Sequence, residues 1–266
     1  MKLFADELRR ETRRGRKRAT VVHPVTLELR ESSALGLVGG RERSGTVPLA
    51  GMLAGLVAPT AGTLELDGEP VRDLLRNPAG RKRFRRHVQF VGVETSAGFD
   101  ARRTLAEAVA GPLKPLRRIT AEAEIKERLT RTAASLGLDP ALYQMHVMHL
   151  SPEELHRIAL VRALVVEPAL LVLDDFGHGL PDPVRELVLR DLRIHCRVHG
   201  IGLVCTAAEA PVLHGVVDEV LVMNSGRVVD RQTVRGSGQG HSSTVGRTAL
   251  RSPNSALHPA ADLSDP

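Results

Sequence analysis

Four short apolar runs set what this chain can fold into: Ala34–Val38 (ALGLV), residues 88–93 (VQFVGV), 169–173 (ALLVL) and 201–206 (IGLVCT). Each is short enough for a strand, and the continuous apolar character suits strands buried on both faces. Helix-patterned stretches lie between them, at 49–56, 104–138, 151–166 and an amphipathic 183–199. Pro59 stops the first; in the second, Thr120 is the expected N-cap and Gly137 the expected stop. Strands are also expected at 25–29, where Val25, Leu27 and Leu29 alternate with polar residues, at 63–66 before an Asp67-Gly68 turn, and at 220–223. Residues 209–215 read as a short helix, and Gly226 turns the chain into 227–229. No internal repeat is found. Strands alternating with helices predict an α/β fold with a largely parallel core sheet.

At 266 residues the chain can bury a sizeable core without a disulfide or metal staple. Its two cysteines, Cys196 and Cys205, exclude a disulfide scaffold and fit a reducing compartment. Thirty-seven Lys and Arg against 31 Asp and Glu leave a net +6, which permits anionic partners. With aromatics at 2% and no Trp, recognition by base stacking is disfavoured, and no nucleic-acid partner is expected. No run reaches the roughly 18 apolar residues that span a bilayer, since 158–173 is broken by Arg162 and Glu167. The start of the chain shows no apolar signal-type region, so work at a membrane implies docking from the cytosolic side. Residues 9–18 (RRETRRGRKR) form a basic run, expected to be a solvated loop or helix face, with anionic lipid or nucleic acid as the alternative. After residue 231, Ser, Gly, Thr, His and Pro dominate, and 231–266 reads as a flexible tail.

Gly40-Arg-Glu-Arg-Ser-Gly45 has the G-x-x-x-x-G spacing of a phosphate-binding loop and stands between a predicted strand and a predicted helix. Backbone N–H groups and a helix N-terminus aim at phosphates in such a loop. Alone the spacing is weak, because Lys and Ser or Thr should follow, and here Thr46 and Val47 do.

The text that follows makes the likeness specific. Residues 36–68, and above all LAGMLAGLVAPTAGTLELDG at 49–68, resemble the opening of an ATP-binding cassette (ABC) transporter subunit. The segments at 88–113, 150–175 (LSPEELHRIALVRALVVEPALLVLDD) and 217–230 (VDEVLVMNSGRVVD) follow in the family's order, with the flavour of oligopeptide, dipeptide and nickel importers. The resemblance implies a P-loop NTPase fold of the ABC type. An antiparallel β portion and a helical subdomain at about 103–165 belong to it. The expected domain spans 20–230, after a basic N-terminal segment at 1–19. ATP and Mg²⁺ are the implied ligands. The implied partners are membrane permease subunits and a second ATP-binding subunit, identical or not, at the cytoplasmic face of the membrane.

Residue by residue, the resemblance also exposes departures. The nucleotide loop becomes Gly40, Arg43, Ser44, Gly45, Thr46, Val47 and Pro48. Thr46 replaces the phosphate-binding lysine and Val47 the metal-binding hydroxyl; Pro48 lacks an N–H but suits a first helical turn. Arg43 replaces an inner glycine, where it either crowds the phosphates or substitutes for the lost cation. Val93 stands at the glutamine of the glutamine loop, Ala208 at the switch histidine and Pro181 at the aspartate of the loop after the acidic pair. Asp174 keeps the Mg²⁺-associated carboxylate, and Asp175 is a general-base candidate one methylene short of glutamate. The signature L-S-G-G-Q reads Leu150-Ser151-Pro152-Glu153-Glu154. Locally that is a good helix start, with a Ser cap, Pro at the first position and Glu at the third. Toward a triphosphate it is adverse, because two carboxylates face the phosphates. Very weak or absent hydrolysis is therefore expected. A non-catalytic structural or regulatory module of the same fold is the alternative.

Overall fold

This computed structural model describes residues 1–14, 17–40, 44–92, 98–234 and 246–247. In chain order its elements are β1 (Lys2–Arg14), β2 (Lys17–Arg30), β3 (Ala34–Val38), α1 (Thr46–Leu53), β4 (Ala61–Leu66), β5 (Glu69–Pro70), α2 (Val71–Leu74), α3 (Pro78–His87) and β6 (Val88–Val91). They continue with α4 (Leu105–Ala110), α5 (Leu113–Arg117), α6 (Glu122–Ser135), α7 (Pro152–Leu164), β7 (Leu170–Leu173), α8 (Asp182–Val198), β8 (Gly202–Ala207), β9 (Glu219–Asn224), β10 (Arg227–Thr233) and β11 (Gly246–Arg247).

The larger sheet has the order β11-β10-β9-β3-β8-β7-β6. Its five strands from β9 to β6 are parallel, and β10 and β11 extend one edge antiparallel. Alternate side chains of the central strands feed two separate cores. Leu35 and Leu37 of β3, Leu170 and Val172 of β7 and Val204 of β8 join α1 and the smaller sheet on one side. Leu171, Leu173, Leu203 and Cys205 join α4 to α8 on the other. Burial on both faces is why these strands read as unbroken apolar runs.

The smaller sheet, β2-β1-β4-β5, is antiparallel. Here the structure corrects the reading of the basic run. Residues 9–14 and 17–18 are neither loop nor helix but belong to the paired strands β1 and β2, in which Arg10 pairs with Val22 and Arg13 with Arg18; residues 15–16 lie outside the described residues. The base of this pair is anchored by Leu3, Ala5 and Leu8, all fully buried. The 104–138 stretch is likewise broken into three helices rather than one. Gly111-Pro112 follows α4, Arg118 ends α5 with φ 59°, and the α6 cap position holds Ala121, without a side-chain bond, instead of Thr120. Thr104 is the residue that caps, exchanging bonds with Glu107 at the start of α4. Residues 231–233, read as part of the tail, belong instead to β10, and Gly246–Arg247 pair with them as β11; residues 235–245 and 248–266 lie outside the described residues.

His195 of α8 is buried, with Nδ1 2.7 Å from the Ser135 hydroxyl, and burial followed by the nearby His199 lowers its pKa to about 4. The unfolded chain binds this proton near the ordinary value of 6.5, so between pH 6.5 and about 4 the unfolded state holds more protons. Stability is therefore complete above pH 6.5 and falls as pH drops toward 4. A His195→Phe variant is expected to lose less stability than the native chain between pH 7 and pH 5. Urea midpoints at the two pH values check this, and parallel losses would contradict it.

Candidate nucleotide site

The site is assembled where β3, β7 and β8 end. Gly39 leaves β3 and donates its N–H to the Ala207 carbonyl of β8 at 3.1 Å. A Cβ at Gly39 would lie 2.5 Å from the Met223 carbonyl oxygen and 2.6 Å from Ser44 Cβ, so only glycine lets the loop turn back. Gly45 sits at φ 92°, and a Cβ there would meet Val21 O at 2.7 Å and Gly226 Cα at 2.8 Å. Three backbones thus converge behind the loop. Gly226 donates to the Ser44 carbonyl at 2.9 Å, and His23 donates to the Gly226 carbonyl at 2.7 Å. The β1–β2 hairpin and the β9–β10 turn together clamp the loop's exit into α1. Gly40, by contrast, has no described residue within 4 Å of where a Cβ would lie.

Ser44 and Thr46 are both buried, and their hydroxyl oxygens share a hydrogen bond at 3.0 Å. Val47 is half exposed and offers no ligand atom. Pro48 occupies the first turn of α1. Arg43, the candidate replacement cation, and Val93 of the glutamine loop lie outside the described residues.

The acidic pair follows β7. Asp174 donates its N–H to Val91 O at 2.9 Å, tying it to the end of β6. Thr206 of β8 connects both acids, donating its hydroxyl to Asp174 Oδ1 at 2.7 Å and accepting the Asp175 N–H at 2.8 Å. Asp175 has φ 45°, a conformation uncommon for a residue with a side chain. A cavity of about 110 Å³ opens beside it, lined by Asp175, His178, Arg185, Thr206 and Ala208. The Ala208 methyl stands where an imidazole is expected from the resemblance.

Ser151, Pro152, Glu153 and Glu154 start α7 as a complete capping box. The Ser151 hydroxyl accepts the Glu154 N–H at 3.3 Å, and the Glu154 carboxylate accepts the Ser151 N–H at 2.7 Å. Glu153 binds Arg157 at 3.1 Å. Arg157, whose side chain is 5% exposed, also bonds the Leu136 carbonyl and reaches Asp191 on α8 at 3.2 Å. Sequence reasoning missed both Arg157 and Thr206: apart from Glu153, four residues back, the partners of Arg157 are 21 and 34 residues away, and those of Thr206 are 31 and 32 away.

Measured against a magnesium nucleotide, the described residues fit poorly. Among the described loop residues no side chain is cationic, the metal-hydroxyl position is aliphatic, and one oxygen of Asp174 already accepts from Thr206. The described ends of the loop, Gly39 and Gly45, keep their glycines, whereas Thr46 and Val47 supply neither a cation nor a metal ligand at their positions.

A family model described as ABC transporter matches residues 22–176. The chain belongs to the ABC transporter family. This cassette is 31% identical over 214 residues to the nickel import ATP-binding protein NikE of Escherichia coli O6:K15:H31 (strain 536 / UPEC), covering 80% of this chain and 78% of the relative. It is 30% identical over the same length to NikE of Escherichia coli strain K12, with equal coverage. Among solved structures, the dimeric bacterial ABC transporter cassette MJ0796 superposes with TM-score 0.78 at 20% identity, over 88% of this chain and 99% of that one. CbiO1 of Clostridium perfringens, part of the cbiONQ transporter complex, superposes with TM-score 0.75 at 20% identity, over 86% and 87%. The expected α/β ABC-type fold is thus the observed one, and the cassette is of the importer ATP-binding type. Among the described residues, no helix is long and apolar enough to cross a membrane.

Proposed function

We propose that this cassette serves a nickel- or peptide-type importer as a subunit with little or no ATP hydrolysis, associated peripherally with the permease at the cytoplasmic face of the membrane. The observation that carries the reading is Thr46. At the position of the phosphate-binding lysine stands a buried hydroxyl bound to Ser44, followed by aliphatic Val47. A lysine–phosphate bond is charge-assisted, and its loss costs about 1.5–3 kcal/mol, or roughly a tenfold to hundredfold drop in affinity. The relatives' nickel import supports the substrate class. Fold-level likeness to cassette dimers supports a second ATP-binding subunit, identical or not. For the permease, support comes from a cavity of about 350 Å³ walled by Leu56, Phe84, Phe90, Pro112, Leu116 and Arg162, with Leu56 61% exposed at its rim.

A second reading, a structural or regulatory module that holds no nucleotide, is favoured by one observation: the capping box commits Ser151 and Glu154 to starting α7. Calorimetric titration with Mg-ATP separates the two. The native chain is expected to bind at least tenfold more weakly than a Thr46→Lys/Val47→Ser variant. Complete absence of heat from the native chain favours the module. Native binding as tight as the variant's refutes the proposal.

A further inference from the structure

A dense cationic surface lies on α3 and the end of α5. Helix α3 carries Arg81, Lys82, Arg83, Arg85 and Arg86, and at 3.6 residues per turn these fan over about 200° of its circumference. Phe84 and Gly80, the buried residues, face the other way. A groove of about 380 Å³ runs between this helix and α5, lined by Lys82, Arg83, Arg86, His87, Arg117 and Arg118 together with Ala79 and Leu116. No carboxylate lines it.

Two acids reach these cations from outside. Glu69 takes Arg83 through both oxygens at 2.7 and 2.8 Å, and Glu167 lies 3.8 Å from Arg117. Among the described residues, no ion pair engages Arg81, Lys82, Arg85, Arg86 or Arg118. Arg117 is crowded enough that burial, and then the Arg86 charge, lower its pKa. Such a concentration of like charge opposes folding unless an anion relieves it.

We propose that the α3–α5 face docks on the phosphate headgroups of an anionic lipid surface. Arginine suits this, because its fork accommodates phosphate oxygens in pairs. The fan of cations over about 200° matches a field of headgroups better than one extended peptide, which would meet only the groove-lining residues. No Phe or Tyr lines the groove, so the stacking platform of single-stranded nucleic acid is missing. Leu116 borders both this groove and the apolar cavity assigned above to the permease, so the two surfaces are continuous.

The test floats the full chain with vesicles of phosphatidylcholine, alone or with phosphatidylglycerol added, at low and high salt. Partition onto the phosphatidylglycerol vesicles is expected, weakening as salt rises. Arg86→Glu/Arg118→Glu is expected to reduce it at least tenfold. Arg86→Gln/Arg118→Gln, expected to give a smaller loss, keeps the test decisive if the reversed pair misfolds. Arg13→Glu/Arg18→Glu on the hairpin is expected to bind as the native chain does. Equal partition onto phosphatidylcholine alone, no partition at all, unchanged partition of both patch variants, or equal loss in the hairpin control overturns the proposal. So does binding of polyglutamate or a duplex oligonucleotide to the patch without binding of vesicles. None of these outcomes depends on whether the cassette holds ATP.

Discussion

ATP turnover by the purified chain is expected to be indistinguishable from that of its Asp175→Ala variant. Hydrolysis needs a general base within hydrogen-bond reach of the attacking water and donors placed where charge develops. Asp175 keeps a carboxylate but is shorter than glutamate, and its backbone is pinned through Thr206 Oγ1 at 2.8 Å. The position of the phosphate cation is Thr46, with its hydroxyl turned to Ser44. The switch position, Ala208, ends in a methyl group at the wall of the cavity of about 110 Å³. Loss of one preorganised donor costs on the order of 10²–10³ in rate, and several are lost together. Combining Thr46→Lys, Val47→Ser, Asp175→Glu and Ala208→His is therefore expected to raise turnover at least 10²-fold over the native chain. Because cassettes of this family share sites across a dimer, Pro152→Gly/Glu153→Gly/Glu154→Gln is expected to add activity in a reconstituted pair. That change also removes the capping box, so circular dichroism must show that α7 survives. Ordinary turnover by the native protein, abolished by Asp175→Ala, would refute the non-hydrolytic reading.

How much of this was legible in the residues follows from how locally each feature is determined. The strands β3, β7 and β8 are legible because burial on both faces writes an unbroken apolar run. The start of α7 is legible because a capping box is a four-residue pattern. The substitutions at Thr46 and Val47 are legible from position, but only the structure shows the Thr46 hydroxyl engaged by Ser44. Helix α3 leaves almost no periodic signal, since GRKRFRRH places just Gly80 and Phe84 in the core. The hairpin hides for a related reason: its bulged register, shifted between Ala5 and Leu8 and again before Arg10 and Glu11, interrupts simple alternation. Thr206 is invisible in sequence because its meaning is tertiary. It reads as one more residue of a buried strand until Asp174 and Asp175 arrive beside it.

Arg157→Ala is expected to be among the most damaging single substitutions away from the apolar cores. Arg157 links α7 to the C-cap of α6 and to α8. It bonds the Leu136 carbonyl, Glu153 at 3.1 Å and Asp191 at 3.2 Å. Truncation strands all three partners. Their partial access to water, with the Asp191 side chain 23% and the Glu153 side chain 39% exposed, softens the penalty for an uncompensated buried charge, which leaves about 3 kcal/mol. For a domain of this size that lowers Tm by about 6–12 °C. Arg157→Lys is expected to recover only part of the loss, because an ammonium cannot serve a carbonyl and two carboxylates with a planar fork. Arg131→Ala provides the contrast. Its pair with Glu127, 3.4 Å apart and exposed, follows the i,i+4 geometry of a solvated helix and is worth about 0.5 kcal/mol or less. Urea unfolding of the three variants checks the ranking. If Arg157→Ala proves as mild as Arg131→Ala, the three-way bond is a bystander, and the orientation of α7 at the mouth of the site is set by the apolar contacts of Ile158, Leu160 and Val161 alone.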